Sequence, residues 1–241
     1  MKNEKSKKLI GVYDYTVILT YIGLSISVIG MTQAIDGKFR PAIICLALSG
    51  LCDMFDGKIA RSKKSRTDEE KLFGMQIDSL CDVICFGAYP AMICFLLGVR
   101  GLLGWILICF YCICSVIRLG YFNVLETKRQ QEEEGANKYY HGLPITSMAI
   151  VLPLVFMLQV FIGNHAFLIA LHISLLVVGA LFIIDFRLKK PNNTVLTLLV
   201  LIVAVAVVIV ILFSNFRIPR FNFPNTGIVD WFSSLVNGHH R

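Results

Sequence analysis

A long apolar run near the end of the sequence limits the possible folds more than any other feature. Residues 194–213 are 20 consecutive positions without a charged side chain. At about 1.5 Å per residue, a helix of this length crosses the apolar core of a bilayer. The whole chain is 56% hydrophobic and 16% charged, whereas soluble domains are about one quarter charged. The sequence therefore predicts an all-α, polytopic integral membrane protein.

The distribution of apolar residues predicts a bundle of about seven transmembrane helices, within a range of six to eight. We divide the chain into a basic juxtamembrane lead-in (1–14), a helical core (15–190), and an extra transmembrane helix with an interfacial tail (191–241). Pro90 and Pro153 fall inside helices and predict kinks that neighbouring helices must accommodate. The predicted helices are 15–35, 41–62, 72–97, 102–123, 144–163, 166–186 and 194–213.

The positive charges indicate how the bundle is oriented. Lysine and arginine residues are concentrated in four segments: 2–8, 58–66, 118–138 and 187–190. The first segment precedes the first predicted helix, and the other three follow the second, fourth and sixth helices, respectively. Because cytoplasmic loops of membrane proteins are enriched in lysine and arginine, we expect a cytoplasmic N-terminus in the cell membrane. The +7 net charge is thereby explained without a nucleic-acid partner.

Four aspartates lie in segments that are otherwise apolar, near the cytoplasmic ends of the predicted helices. Asp53 and Asp56 are spaced i, i+3, while Asp78 and Asp82 are spaced i, i+4, so each pair shares one face of a helix. Acidic groups near lipid are costly and usually functional. Four converging carboxylates repel one another unless cations lie between them. Since carboxylate oxygens bind hard divalent ions well, the pattern predicts a metal site.

The spacing of these aspartates resembles the motif of the CDP-alcohol phosphatidyltransferase family. That motif reads D-x-x-D-G-x-x-A-R, a spacer, and then G-x-x-x-D-x-x-x-D. The multi-helix layout extends the resemblance over most of the chain, up to about residue 190. The residues that match the motif here are Asp53, Asp56, Gly57, Ala60, Arg61, Gly74, Asp78 and Asp82.

Each part of the motif has a physical interpretation. Gly57, Ala60 and Gly74 are small, and would let a nucleotide phosphate approach the helix backbones. Arg61 offers a charged, planar fork for phosphate. The resemblance implies that the four aspartates bind Mg2+ or Mn2+, with two ions expected. It further implies that Asp82 is the catalytic base that accepts the proton of the attacking hydroxyl.

Further residues resemble the phosphatidylserine synthase branch of this family. The run Asp78-Ser-Leu-Cys-Asp82 is followed closely by Phe-Gly, and Arg118-Leu-Gly-Tyr-Phe-Asn123 and His141-Gly-Leu-Pro match two later segments. The branch implies CDP-diacylglycerol and L-serine as substrates, phosphatidylserine and CMP as products, and a homodimer. It also implies an acceptor pocket that contains Arg118, Asn123 and His141.

The sequence departs from the branch pattern in places, and other functions stay open. Lys71 stands where the family often has Ser or Thr, and Tyr121 replaces the second arginine of the R-x-x-R-F-N segment. The same chemistry with glycerol 3-phosphate or inositol phosphate as acceptor is one alternative. An ion-coupled membrane transporter is another. Transporters favour internal repeats and sites at the bilayer midplane, and we find no repeat here.

Overall fold

A bundle of helices makes up nearly all of the described structure. The computed structural model describes residue 11 and residues 15–62, 67–131, 139–189 and 193–212. A 3-10 turn (Tyr15–Val17) precedes the first helix, and another (Ile145–Ser147) precedes the sixth. The helices are α1 (Ile18–Ile35), α2 (Phe39–Ser62), α3 (Asp68–Asp82), α4 (Tyr89–Leu96), α5 (Gly101–Gln131), α6 (Met148–Leu158), α7 (Asn164–Ile183) and α8 (Asn193–Leu212).

A π-helical segment (Val83–Ala88) joins α3 to α4, so that residues 68–96 form one continuous helical run. Pro90 follows this segment. Proline has no backbone N–H, so the carbonyl four residues earlier, that of Phe86, loses its usual helical donor. The buried hydroxyl of Tyr111 on α5 donates a hydrogen bond to that carbonyl. A neighbouring helix thus supplies a donor for the carbonyl that Pro90 leaves without one.

A small antiparallel ribbon joins the entrance of α6 to the segment after α7. Its strands are β1 (Tyr139–His141) and β2 (Arg187–Lys189), and His141 pairs with Arg187. Gly142 follows β1 with a φ of +71°, and a Cβ there would lie 3.1 Å from the carbonyl oxygen of Ile184. Because the left-handed conformation strains any other residue and the space for a Cβ is tight, glycine is strongly favoured at this turn.

The bundle has an apolar exterior and buries several polar groups, the reverse of a soluble domain. Large exposed side chains include Leu102 (80%) and Phe161 (71%), whereas Asp56, Asp82 and Arg118 are buried. An exterior of this kind is expected when lipid surrounds the protein. Within the described part of the chain, four stretches are long and apolar enough to cross a membrane: Tyr15–Ile35, Asp68–Leu96, Gly101–Lys128 and Asn164–Ile183. The protein is therefore a multi-pass, all-α membrane protein.

The observed helices correspond to the seven predicted ones, with α3, the π segment and α4 matching 72–97. Most boundaries agree to within four residues, and two differ by more. The fourth helix was predicted to end at 123, but α5 continues to Gln131, because residues 124–131 are mostly good helix formers. The fifth was predicted to reach 163, but α6 ends at Leu158. The number of spans and the domain limits stay predictions. Residues 1–10, 12–14 and 213–241, which hold most of the lead-in and the tail, lie outside the described residues.

Candidate metal and catalytic site

Carboxylates from α2 and α3 come together inside the bundle. Asp53 on α2 and Asp78 and Asp82 on α3 each offer a carboxylate oxygen, and these atoms lie within 4.8 Å of one another. The backbone of α3 packs mainly on α1, α5 and the π segment. Among the described residues, the backbones of α2 and α3 pack on each other less closely than α3 packs on these elements.

Asp56 lies beside this group and has a partner on α1. The hydroxyl of Thr20 donates a 3.0 Å hydrogen bond to Oδ2 of Asp56, and both residues are buried. The carboxyl group of Asp56 is also close enough to that of Asp78 to interact with it electrostatically. The structure thus brings all four predicted aspartates together. Thr20 has no part in the aspartate motif, so the motif alone does not identify it.

The start of α3 is fixed by a capping box. Thr67 accepts a hydrogen bond from the backbone N–H of Glu70, and the Glu70 side chain accepts one from the backbone N–H of Thr67. This arrangement satisfies amide groups that a helix otherwise leaves without partners. Lys71, one of the departures from the family pattern, pairs with Asp68 at 3.0 Å on the exposed side of the first turn. The cap sets where α3 begins, and thereby the register of Asp78 and Asp82.

A polar contact connects α3 with the end of α5. Ser79 donates a 2.7 Å hydrogen bond to Oδ1 of Asn123, and Nδ2 of Asn123 lies 3.5 Å from Oε1 of Gln76. Ser79 follows Asp78 directly in the sequence. Asn123, one of the three predicted acceptor residues, is therefore held beside the acidic helix.

Arg118 has a different environment from Asn123. Its Nε donates a 2.9 Å hydrogen bond to the carbonyl oxygen of Leu143, and its guanidinium lies 5.9 Å from the centre of the Phe122 ring. The backbone N–H of Leu143 in turn donates to the carbonyl of Leu181 on α7. Arg118 therefore connects α5 to the entrance of α6, next to the turn at Gly142.

The other predicted site residues are described in less detail. Gly57 on α2 and Gly74 on α3 are both half-buried. Ala60 and Arg61 lie in the last turns of α2, but their side chains are outside the described part of the structure. The backbone of His141 belongs to β1, and its side chain is likewise outside the description.

The donor set fits a hard divalent cation. Three carboxylates within 4.8 Å repel one another strongly when ionised, and Asp82, with 8% of its surface exposed, has little water to screen it. Mg2+ and Mn2+ prefer carboxylate oxygens in this kind of arrangement. Asp53, Asp78 and Asp82 are the residues best placed to hold an ion, with Asp56 adjacent.

Comparison with known proteins agrees with the aspartate motif. The sequence model of the CDP-alcohol phosphatidyltransferase family matches residues 15–184. This match covers more than half of the chain, and extends from the turn before α1 to the end of α7.

Relatives with assigned activities differ in how much of their length the chain spans. A CDP-diacylglycerol–serine O-phosphatidyltransferase from Saccharomyces cerevisiae is 35% identical over 108 residues, which are 44% of this chain and 38% of the yeast protein. An archaetidylserine synthase from Methanothermobacter thermautotrophicus is 29% identical over 186 residues, or 75% and 72% of the two chains. A Mycobacterium tuberculosis CDP-diacylglycerol–serine O-phosphatidyltransferase is 26% identical over 133 residues, 55% of this chain and 45% of its own. The chain thus spans less than half the length of the yeast and mycobacterial relatives.

Proposed function

Because this chain belongs to the CDP-alcohol phosphatidyltransferase family, we propose that it transfers the phosphatidyl group of CDP-diacylglycerol to L-serine and releases CMP. The observation that carries this proposal is the convergence of Asp53, Asp78 and Asp82, whose ligand atoms lie within 4.8 Å. The yeast and mycobacterial relatives are named for serine as acceptor. The archaeal relative is named for a different lipid but again for serine, and this agreement favours serine over glycerol 3-phosphate or inositol phosphate.

The metal ligands in this proposal are Asp53, Asp56, Asp78 and Asp82, which would hold Mg2+ or Mn2+, with two ions expected. Bound divalent ions neutralise the charge of the pyrophosphate and of the departing phosphate. The protein contributes two acidic faces held in register by helix packing. Thr20 fixes Asp56, and the capping box fixes the start of α3.

Asp82 is the proposed catalytic base. The serine hydroxyl oxygen attacks the phosphorus that carries the diacylglycerol group, a new P–O bond forms, and the P–O bond to CMP breaks. The hydroxyl proton passes to the carboxylate of Asp82, and CMP leaves with the bonding electrons. Burial of Asp82 supports this role, because a base shielded from water takes its proton from the bound acceptor.

The nucleotide and its phosphates are proposed to bind along the ends of α2 and α3. Gly57, Ala60 and Gly74 would leave room for the pyrophosphate near the helix backbones. Arg61 would pair with a phosphate oxygen. The acceptor pocket is proposed to include Arg118, Asn123 and His141. The bond between Asn123 and Ser79 supports this for Asn123, because it holds the amide beside the helix that carries Asp82.

The location and assembly of the enzyme are part of the same proposal. We assign the protein to the cell membrane, with its N-terminus and active site facing the cytoplasm, on the distribution of lysine and arginine. Residues 15–190 would form the catalytic core, after a lead-in at 1–14 and before an extra helix and tail at 191–241. A homodimer is expected from the family resemblance.

An acceptor screen tests the proposed function. The full chain, purified in detergent, is supplied with CDP-diacylglycerol and Mn2+ or Mg2+, and then with serine, glycerol 3-phosphate or inositol phosphate. We expect CMP release and a phosphatidylserine product with serine alone.

Two other results would change the assignment. CMP release with a different acceptor would keep the chemistry and replace the substrate. If no acceptor released CMP under conditions in which the protein stays folded, the transferase assignment would be contradicted and a transport role would have to be considered.

A further inference from the structure

A row of small residues on α1 faces α2. The buried residues of α1 recur at alternating intervals of three and four, which places them on one side of the helix. Small side chains let two membrane helices approach closely, and α1 packs more extensively on α2 than on α3. Since α1 packs on both acidic helices, it joins the two halves of the metal site. The residues of this row are Thr20, Gly23, Ser27, Gly30 and Ala34.

Two hydroxyl groups in this row donate hydrogen bonds to side chains of α2. Thr20 donates to Asp56 at 3.0 Å, and Ser27 donates to Ser49 at 2.8 Å. Thr20 and Ser27 are seven residues apart on α1, as are Ser49 and Asp56 on α2. All four side chains are buried. The two bonds therefore join the same two helices in similarly buried positions. They differ in the acceptor, which is a carboxylate in one bond and a hydroxyl in the other.

The bond from Thr20 acts on a charged group of the site. A hydroxyl that donates to one carboxylate oxygen fixes the direction of the whole group, because the two oxygens are rigidly joined. Asp56, with 6% of its surface exposed, has little water that would replace Thr20. Its carboxyl group also interacts electrostatically with that of Asp78, so the orientation of Asp56 affects how its oxygens face the other acidic residues.

We propose that Thr20 is a positioning residue of the metal site, which orients Asp56 toward the cation through this hydrogen bond. The proposal rests on the metal-dependent function proposed above. The Ser27–Ser49 bond is its internal comparison, because it joins the same two helices without touching a carboxylate. Groups that orient metal ligands typically contribute about 10- to 100-fold to metal affinity.

Binding of Mn2+ measured by electron paramagnetic resonance tests this proposal without relying on activity. The purified full chain is titrated with Mn2+ alone, in wild type and in Thr20→Val, Thr20→Ser and Ser27→Ala. We expect Thr20→Val to weaken Mn2+ binding about tenfold. Thr20→Ser keeps the hydroxyl and should stay within about twofold of wild type. Ser27→Ala should lower the melting temperature and leave Mn2+ affinity unchanged.

A second pair of variants keeps the test decisive if Thr20→Val does not fold. Thr20→Ala and Thr20→Ser both lose the methyl group, and only Ser retains the donor. Weaker Mn2+ binding in Ala than in Ser supports the proposal, whereas equal binding in the two variants overturns it. The titration is independent of the acceptor screen. If wild-type protein binds Mn2+ but releases no CMP, the transferase assignment fails. The titration of the Thr20 variants still decides the role of Thr20 in that case.

Discussion

Helices α7 and α2 belong to the same bundle but satisfy their polar groups in different ways. Within α7, which is apolar for most of its length, the hydroxyl of Ser174 donates to the carbonyl of Leu171, and Nδ1 of His172 lies 2.7 Å from the carbonyl oxygen of Leu168. Ser49 and Asp56 on α2 instead find partners on α1. These two side chains of α7 find their partners within their own helix, whereas the two of α2 find theirs on a neighbouring helix.

This difference in hydrogen-bond partners indicates that α7 mainly stabilises the bundle, whereas α2 mainly contributes to the chemistry of the site. A helix that satisfies its own polar groups inserts into lipid readily and contributes through packing. A helix with buried carboxylates is costly there, and persists when those groups have partners or ligands. Substitutions in the site should therefore change chemistry more than stability, and substitutions in α7 should do the reverse.

The largest effect on activity is expected from Asp82→Asn. Asparagine has nearly the same shape but does not act as a proton acceptor at this position, so kcat for CMP release should fall by about 10²- to 10⁴-fold. Steady-state kinetics with serine measure the loss, and the melting temperature checks that the fold is intact. A variant that is as stable as wild type and retains most of its kcat would refute the role of Asp82 as base.

A smaller effect is expected at the contact between α3 and α5. Ser79→Ala removes the donor to Asn123, and we expect kcat/KM for serine to fall about fivefold, which corresponds to about 1 kcal/mol for one hydrogen bond. The KM for CDP-diacylglycerol should change little. In a double-mutant cycle with Asn123→Ala, the two losses should not add. Fully additive losses would mean that this bond does not support acceptor binding.

The smallest effect on the site is expected from Leu175→Ala in α7. Leu175 is fully buried, and its truncation leaves a cavity, so the free energy of unfolding should fall by about 2 kcal/mol. The affinity for Mn2+ should not change. Leu176→Ala, at a neighbouring position that is 48% exposed, is the matched control and should melt close to wild type. Loss of Mn2+ binding in Leu175→Ala would contradict the separation of α7 from the site.

Much of the fold could be predicted because membrane helices carry strong local signals. The all-α prediction and the family resemblance are confirmed. The helical spacing placed the aspartates of each pair on one face, and the family resemblance implied that the two pairs form one site. The structure places carboxylate oxygens of Asp53, Asp78 and Asp82 within 4.8 Å of one another, while their roles stay predictions. The end of the fourth predicted helix was less accurate, since α5 continues beyond its apolar part into residues that favour helix for other reasons.

Other features depend on contacts between distant residues and were missed. Thr20 is an ordinary residue in an apolar helix, and its role is visible once α1 lies against Asp56. Its recurrence with Gly23 and Ser27 was the available signal, because small residues at this spacing indicate a close helix contact. The ribbon of β1 and β2 has three residues in each strand, too few for a recognisable alternating pattern.

Direct measurement of cation binding tests the central claim, that carboxylates of two helices hold divalent ions between them. Mn2+ is titrated into the purified full chain, and the signal of free Mn2+ is followed by electron paramagnetic resonance in wild type, Asp53→Asn and Asp78→Asn. We predict about two bound ions in wild type, and weaker binding in both variants, although the changes lie on different helices. Binding that is equally tight in all three proteins would contradict the claim.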